Sequence, residues 1–145
     1  MKQSGGFEIE NRIAIVACKW HPLTAMENAS KNGFRLTPGT TVIPVKCSGL
    51  VKVSFLLRLF ARDIRGVLVL GCLEEDCRYF NGSARCGRIV DETRKILELA
   101  GIDPSRLGFD LISESQGKEF KKIFTRFTRQ FSKKRRRRVS ASSRR

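Results

Sequence analysis

The chain has no apolar run near the roughly 18–20 residues that a membrane-spanning helix requires. Its N-terminus, residues 1–11, has no apolar segment of the kind that opens a secretory signal, so a cytoplasmic location is expected. Histidine occurs once, at His21, with no serine and carboxylate recognisably set beside it, which argues against a hydrolytic triad. C-x-x-C, G-x-G-x-x-G and G-x-x-x-x-G-K are all missing, so thioredoxin-type, dinucleotide and P-loop chemistry have no motif to stand on. A phosphatase-type loop would need arginine six residues after Cys18, and that position is Thr24. Acids are absent from residues 132–145, which hold Lys133, Lys134, Arg135, Arg136, Arg137, Arg138, Arg144 and Arg145.

Those eight cations account for much of the formal charge of +15 and leave +7 for residues 1–131. The body is therefore moderately basic. The tail repels itself and has nothing to bury, so it is expected to be disordered. By charge alone it could touch nucleic acid or anionic lipid. It lacks interleaved aromatic residues for base stacking.

The 145-residue chain reads as one domain, residues 12–131, between a polar extension (1–11) and the tail (132–145). Ile13–Ala17 and Val67–Leu70 are short, continuous apolar runs rich in β-branched residues, as buried parallel strands are. Thr40–Lys46 is a strand that Pro44 assigns to a sheet edge, because proline cannot donate to the ladder. Leu107, Phe109 and Leu111 alternate with Gly108 and Asp110, giving a half-exposed fourth strand. Helical patterns fall between and after them: residues 20–32, a face built on Val53, Phe55, Leu56, Leu59 and Phe60, residues 83–100, and residues 116–131 with a Phe120, Ile123, Phe124, Phe127, Phe131 stripe. The alternation predicts an α/β fold with a four-stranded parallel sheet in the order 2-1-3-4 and helices on both faces.

Five cysteines without a signal segment make a disulfide scaffold a poor reading. On this skeleton Cys18, Cys47 and Cys72 each follow a strand, and Cys77 lies five residues beyond Cys72. Open parallel sheets build their sites at that carboxyl edge. Convergent thiolates suit a soft metal centre, either an iron–sulfur cluster or zinc. Thiols merely packed at strand ends are the bland alternative. His21, three residues after Cys18, has ligand-like spacing, and histidine can replace cysteine on iron. Cys86, one turn into its helix, reads as packed.

Ala17-Cys18-Lys19-Trp20, Lys46-Cys47-Ser48-Gly49 and Gly71-Cys72-Leu73-Glu74-Glu75-Asp76-Cys77-Arg78-Tyr79 resemble the delta (iron–sulfur) subunit of methyl-viologen-reducing hydrogenase, a module also attached to heterodisulfide reductase-like flavoproteins. The resemblance runs from Ile13 to Phe131 and includes Asn81-Gly82, Ala100-Gly101-Ile102 and residues 113–120. It implies a 2Fe–2S cluster that carries electrons between a hydrogenase or other dehydrogenase and the flavin-bearing component of heterodisulfide reductase. It implies Cys18, Cys47, Cys72 and Cys77 as the metal ligands. The family usually has a second cysteine in the first motif where this chain has His21, which makes His21 a candidate replacement ligand. Cys86 has no recognised counterpart, and the tail from Lys133 lies outside the pattern. Lys19, Trp20 and Arg78 flank the ligands and are the expected partner-docking residues. The rival class is a zinc-stabilised or metal-free binding module that uses its basic tail on nucleic acid.

Overall fold

A computed structural model describes residues 12–77 and 81–143, with side chains to Phe131. The polar extension, residues 1–11, and Arg78 lie outside these bounds, as do the side chains of the basic tail. Four strands alternate with four helices: β1 (Ile13–Cys18), α1 (His21–Lys31), β2 (Thr40–Val45), α2 (Val53–Ala61), β3 (Gly66–Gly71), α3 (Gly82–Leu99), β4 (Leu107–Leu111) and α4 (Gly117–Ser143). All pairs are parallel and the order is β2-β1-β3-β4, as the apolar and edge patterns predict. Val16 sits between Ile43 and Val69 at the middle of the sheet.

The period-two alternation of a strand divides the core. Ile13, Ile15 and Ala17 face α1 and α4, joining Ala25, Ala29 and the Phe120, Ile123, Phe124, Phe127, Phe131 stripe. Ala14 and Val16 face α2 and α3, joining Leu56, Phe60, Val90 and Leu97. Phe120 and Phe124 stack at 5.9 Å, and Phe34 sets its edge against both. Helical backbone in α4 runs on to Ser143, past the boundary at about Phe131 where the apolar stripe ends.

Three single-turn 3-10 segments, Ser48–Leu50, Glu74–Asp76 and Pro104–Arg106, were not foreseen. Three residues are too few to show a period, so hydrophobic patterning does not register them. Two of these turns build the site.

Candidate metal centre

Cys18 is the last residue of β1, Cys47 lies two residues past β2, and Cys72 directly follows β3. Cys77 closes the Glu74–Asp76 turn. The chain leaves β1 for the α1/α4 face and β3 for the α2/α3 face, so neighbouring strands part in opposite directions and open a crevice at their carboxyl ends. Cys18, Cys47 and Cys72 are buried there, and Cys77 is half-buried.

The sulfurs form two pairs. Cys18 Sγ and Cys72 Sγ are 3.6 Å apart, bridging the adjacent strands β1 and β3. Cys47 and Cys77 meet over Gly82, the first residue of α3. A Cβ on Gly82 would stand 2.6 Å from Cys47 Sγ and 3.1 Å from Cys77 Sγ. A Cβ on Gly49 would in turn stand 2.8 Å from the Gly82 Cα. The two glycines let the loop after β2 approach the start of α3 closely enough to bring both sulfurs over it.

Backbone N–H groups point at these sulfurs. Helix α1 begins without a side-chain cap. The backbone N–H groups of Trp20 and Ser48 stabilise the Cys18 thiolate, and that of His21 acts on Cys72 in the same way. The sulfurs thus face N–H groups at and just before the first residue of α1. Cys47 caps the 48–50 turn, accepting from Gly49 N–H at 3.3 Å.

This setting decides which thiol ionises. The hydrogen bond from the Cys72 thiol holds Cys18 down to about 6, against burial and with help from the Trp20 and Ser48 N–H groups. Cys72, which keeps the proton, is pushed up by that same bond and then by burial. Burial raises Cys47 and lifts Cys86 to about 12. In metal-free protein, thiolate absorbance at 240 nm is therefore expected to rise as pH increases through about 6. Cys72→Ser should retain that step only so far as its hydroxyl replaces the thiol donor, whereas Cys18→Ser should remove it. A first step near the ordinary thiol pKa of about 8.5 would contradict the pairing.

The donor set fits a soft metal centre. Two thiolates on one tetrahedral ion, with bonds of about 2.3 Å, stand roughly 3.8 Å apart, close to the Cys18–Cys72 separation. The N–H groups aimed at sulfur would stabilise the anionic thiolates a metal needs. Among the described residues, no three His, Cys, Asp or Glu side chains form one ready-made metal-holding group; the arrangement is two pairs.

His21 Nδ1 faces the Glu114 carboxylate at 4.0 Å, across the β4–α4 connection. Its imidazole acts on Cys18 electrostatically, and its backbone N–H serves Cys72. Lys19 is exposed, with its ammonium 4.9 Å from the centre of the Trp20 ring. Cys86 is fully buried in α3, among Val51, Leu56 and Val90. Sequence reasoning did not single out Gly49, Gly82 or Ser48 individually. Both glycines lie in the motifs that carry the family resemblance, but their pairing depends on a contact between segments far apart in the chain.

Residues 13–133 match the model of the methyl-viologen-reducing hydrogenase delta-subunit family. The chain belongs to that family. Among delta-subunit relatives, the iron–sulfur subunit of the F420-non-reducing hydrogenase of Archaeoglobus profundus is 32% identical over 120 residues, 83% of this chain and 88% of that protein. The iron–sulfur subunit of the vhc F420-non-reducing hydrogenase of Methanococcus voltae is 31% identical over 111 residues, 77% of each. The A component of the ferredoxin:CoB-CoM heterodisulfide reductase of Methanosarcina mazei is 26% identical over 118 residues, which are 81% of this chain but only 15% of that much longer protein. A stretch resembling the delta-subunit chain thus also occurs within a larger polypeptide.

Proposed function

We propose that this chain is an electron-transfer subunit that holds a 2Fe–2S cluster on Cys18, Cys47, Cys72 and Cys77. It carries electrons between a hydrogenase or other dehydrogenase and a heterodisulfide reductase A-like flavoprotein, in the cytoplasm. The observation that carries the reading is the meeting of four thiols from three strand ends in two pairs, with backbone N–H groups turned to the sulfurs. The names of the hydrogenase relatives, iron–sulfur subunits, favour iron over zinc for that donor set. Among the described residues, no helix is long and apolar enough to cross a membrane.

When bound, the cluster supplies a one-electron carrier. The protein's residues do the rest. The four cysteines hold the centre at the sheet edge, and burial of three of them keeps water from the metal–sulfur bonds. The N–H groups of Trp20, His21, Ser48 and Gly49 offset negative charge on sulfur and so favour the reduced state. Lys19 adds positive charge at the rim and, with Trp20 and Arg78, contributes to partner docking.

Metal analysis of anaerobically purified protein tests the assignment. Iron and acid-labile sulfide in equal amounts are expected. Stoichiometric zinc without sulfide would favour a structural zinc module instead. His21 has a separate test. We read His21 as a neighbour of the ligands rather than one of them, because four thiols are available and its Nδ1 lies 4.0 Å from the Glu114 carboxylate. His21→Ala is expected to keep its iron and the visible spectrum of the wild type. Loss of iron, or a spectrum shifted toward all-cysteine ligation, would make His21 a ligand.

A further inference from the structure

The residues around the sulfurs carry a charge pattern that follows the order of the strands. On the β2/β1 side, Lys46 directly follows β2 and Lys19 directly follows β1; Lys19 N–H donates to the Val45 carbonyl, which ties the two strand ends together. Lys52 comes just after the Ser48–Leu50 turn. All three lysines are exposed. On the β3 side, the turn between Cys72 and Cys77 carries Glu74, Glu75 and Asp76, also all exposed. The sign of the charge changes between β1 and β3, where the crevice opens.

Leu50 ends the turn whose N–H groups serve Cys18 and Cys47, yet 60% of its surface is exposed. The neighbouring Ser48, Gly49 and Val51 are buried. The turn is thus anchored on both sides while its one large apolar side chain is left in water. Single exposed leucines are common on protein surfaces and need no explanation alone. This one stands in the turn that follows Cys47, four residues after the exposed Lys46 and two before the exposed Lys52.

We infer that Leu50 is the apolar anchor of a two-signed docking surface, fitted to a redox protein that offers a small apolar notch ringed by carboxylates. Lys19, Lys46 and Lys52 meet those carboxylates, and the Glu74–Asp76 turn meets cationic groups across the crevice. The inference rests on the electron-transfer reading and specifies the partner face that reading needs. Interface energy concentrates in a few desolvated anchors, while rim charges set orientation and rate of encounter. The two signs let a partner dock in one orientation only. Arg85 is exposed in the first turn of α3, which packs near the acidic turn, so the lysine half is the more uniform in sign and the better target for reversal.

The test uses tagged full-length chain expressed in its own host, purified anaerobically with whatever flavoprotein it holds. Partner identity is read by mass spectrometry, its amount by flavin absorbance, and iron by metal analysis. Leu50→Asp is expected to lower bound flavoprotein roughly tenfold or more, the scale of a lost anchor, with iron unchanged. The pair Lys46→Glu with Lys52→Glu should also lose it, and wild-type binding should weaken as salt rises. Leu99→Asp, at the 90% exposed end of α3, serves as the control and should retain the partner. Full retention by Leu50→Asp, or equal loss from Leu99→Asp, overturns the surface while leaving the iron–sulfur reading intact. Iron-free wild-type protein would instead overturn the electron-transfer reading. A wild-type chain that self-associates in a salt-sensitive, Leu50-dependent way would make a second copy the occupant and refute the redox partner.

Discussion

Serine at Cys18, Cys47, Cys72 or Cys77 is expected to strip the purified protein of its iron, with no more than about a tenth of the wild-type content remaining, while serine at Cys86 leaves it in place. The contrast follows from position. Cys18 and Cys72 face each other at 3.6 Å, and Cys47 and Cys77 share the space over Gly82. Removing any one sulfur would leave the centre one thiolate short of the four that would hold it. Cys86 has its thiol raised to about 12 by burial and packs among apolar side chains of the α2/α3 face. We read it as a small hydrophobe packed beside the site. Cys86→Ser should therefore lower stability through a buried hydroxyl, by about 1–3 kcal/mol, and keep the iron. Iron lost from Cys86→Ser but kept in Cys77→Ser would require a different ligand set.

Gly82→Ala is expected to have nearly as large an effect on metal content through a residue that carries no ligand atom. The new methyl would lie 2.6 Å from Cys47 Sγ and 3.1 Å from Cys77 Sγ, inside contact distance of both. One or both sulfurs must turn away, which opens that pair. Gly82 begins α3, where alanine favours helix over glycine, so the fold itself should tolerate the change. Far-UV circular dichroism should stay near wild type. Cobalt(II), added to the reduced apoprotein as a spectroscopic probe, should give a much weaker thiolate charge-transfer band. A variant that loses thermal stability but shows the wild-type cobalt spectrum would reduce Gly82 to a packing residue.

Much of this architecture was legible in the chain. Apolar runs at Ile13–Ala17 and Val67–Leu70 mark strands buried on both faces, and Pro44 marks an edge; together they are enough to order the sheet. The strand-end positions of Cys18, Cys47 and Cys72 then follow from the topology. Less was legible where the physics is non-local. The pairing of Cys18 with Cys72 depends on β1 and β3 being neighbours, and the pairing of Cys47 with Cys77 depends on Gly49 packing against Gly82. The helix start of α1 has no side-chain cap, and only the fold shows that its first N–H groups lie by the cysteine sulfurs. His21 was readable as ligand-spaced, but the facing Glu114 lies on a loop 93 residues away and has no signature in the sequence around His21. The Ser48–Leu50 turn was invisible as an element, and with it the exposure of Leu50.

The most direct measurement is electron paramagnetic resonance of the anaerobically purified protein, before and after dithionite reduction, with iron and sulfide measured on the same sample. The oxidised protein should be silent. Reduction should produce a single spin-half signal of the 2Fe–2S type in proportion to chain, and Cys18→Ser should abolish it. A colourless protein that remains silent on reduction after anaerobic reconstitution with iron and sulfide would contradict the account.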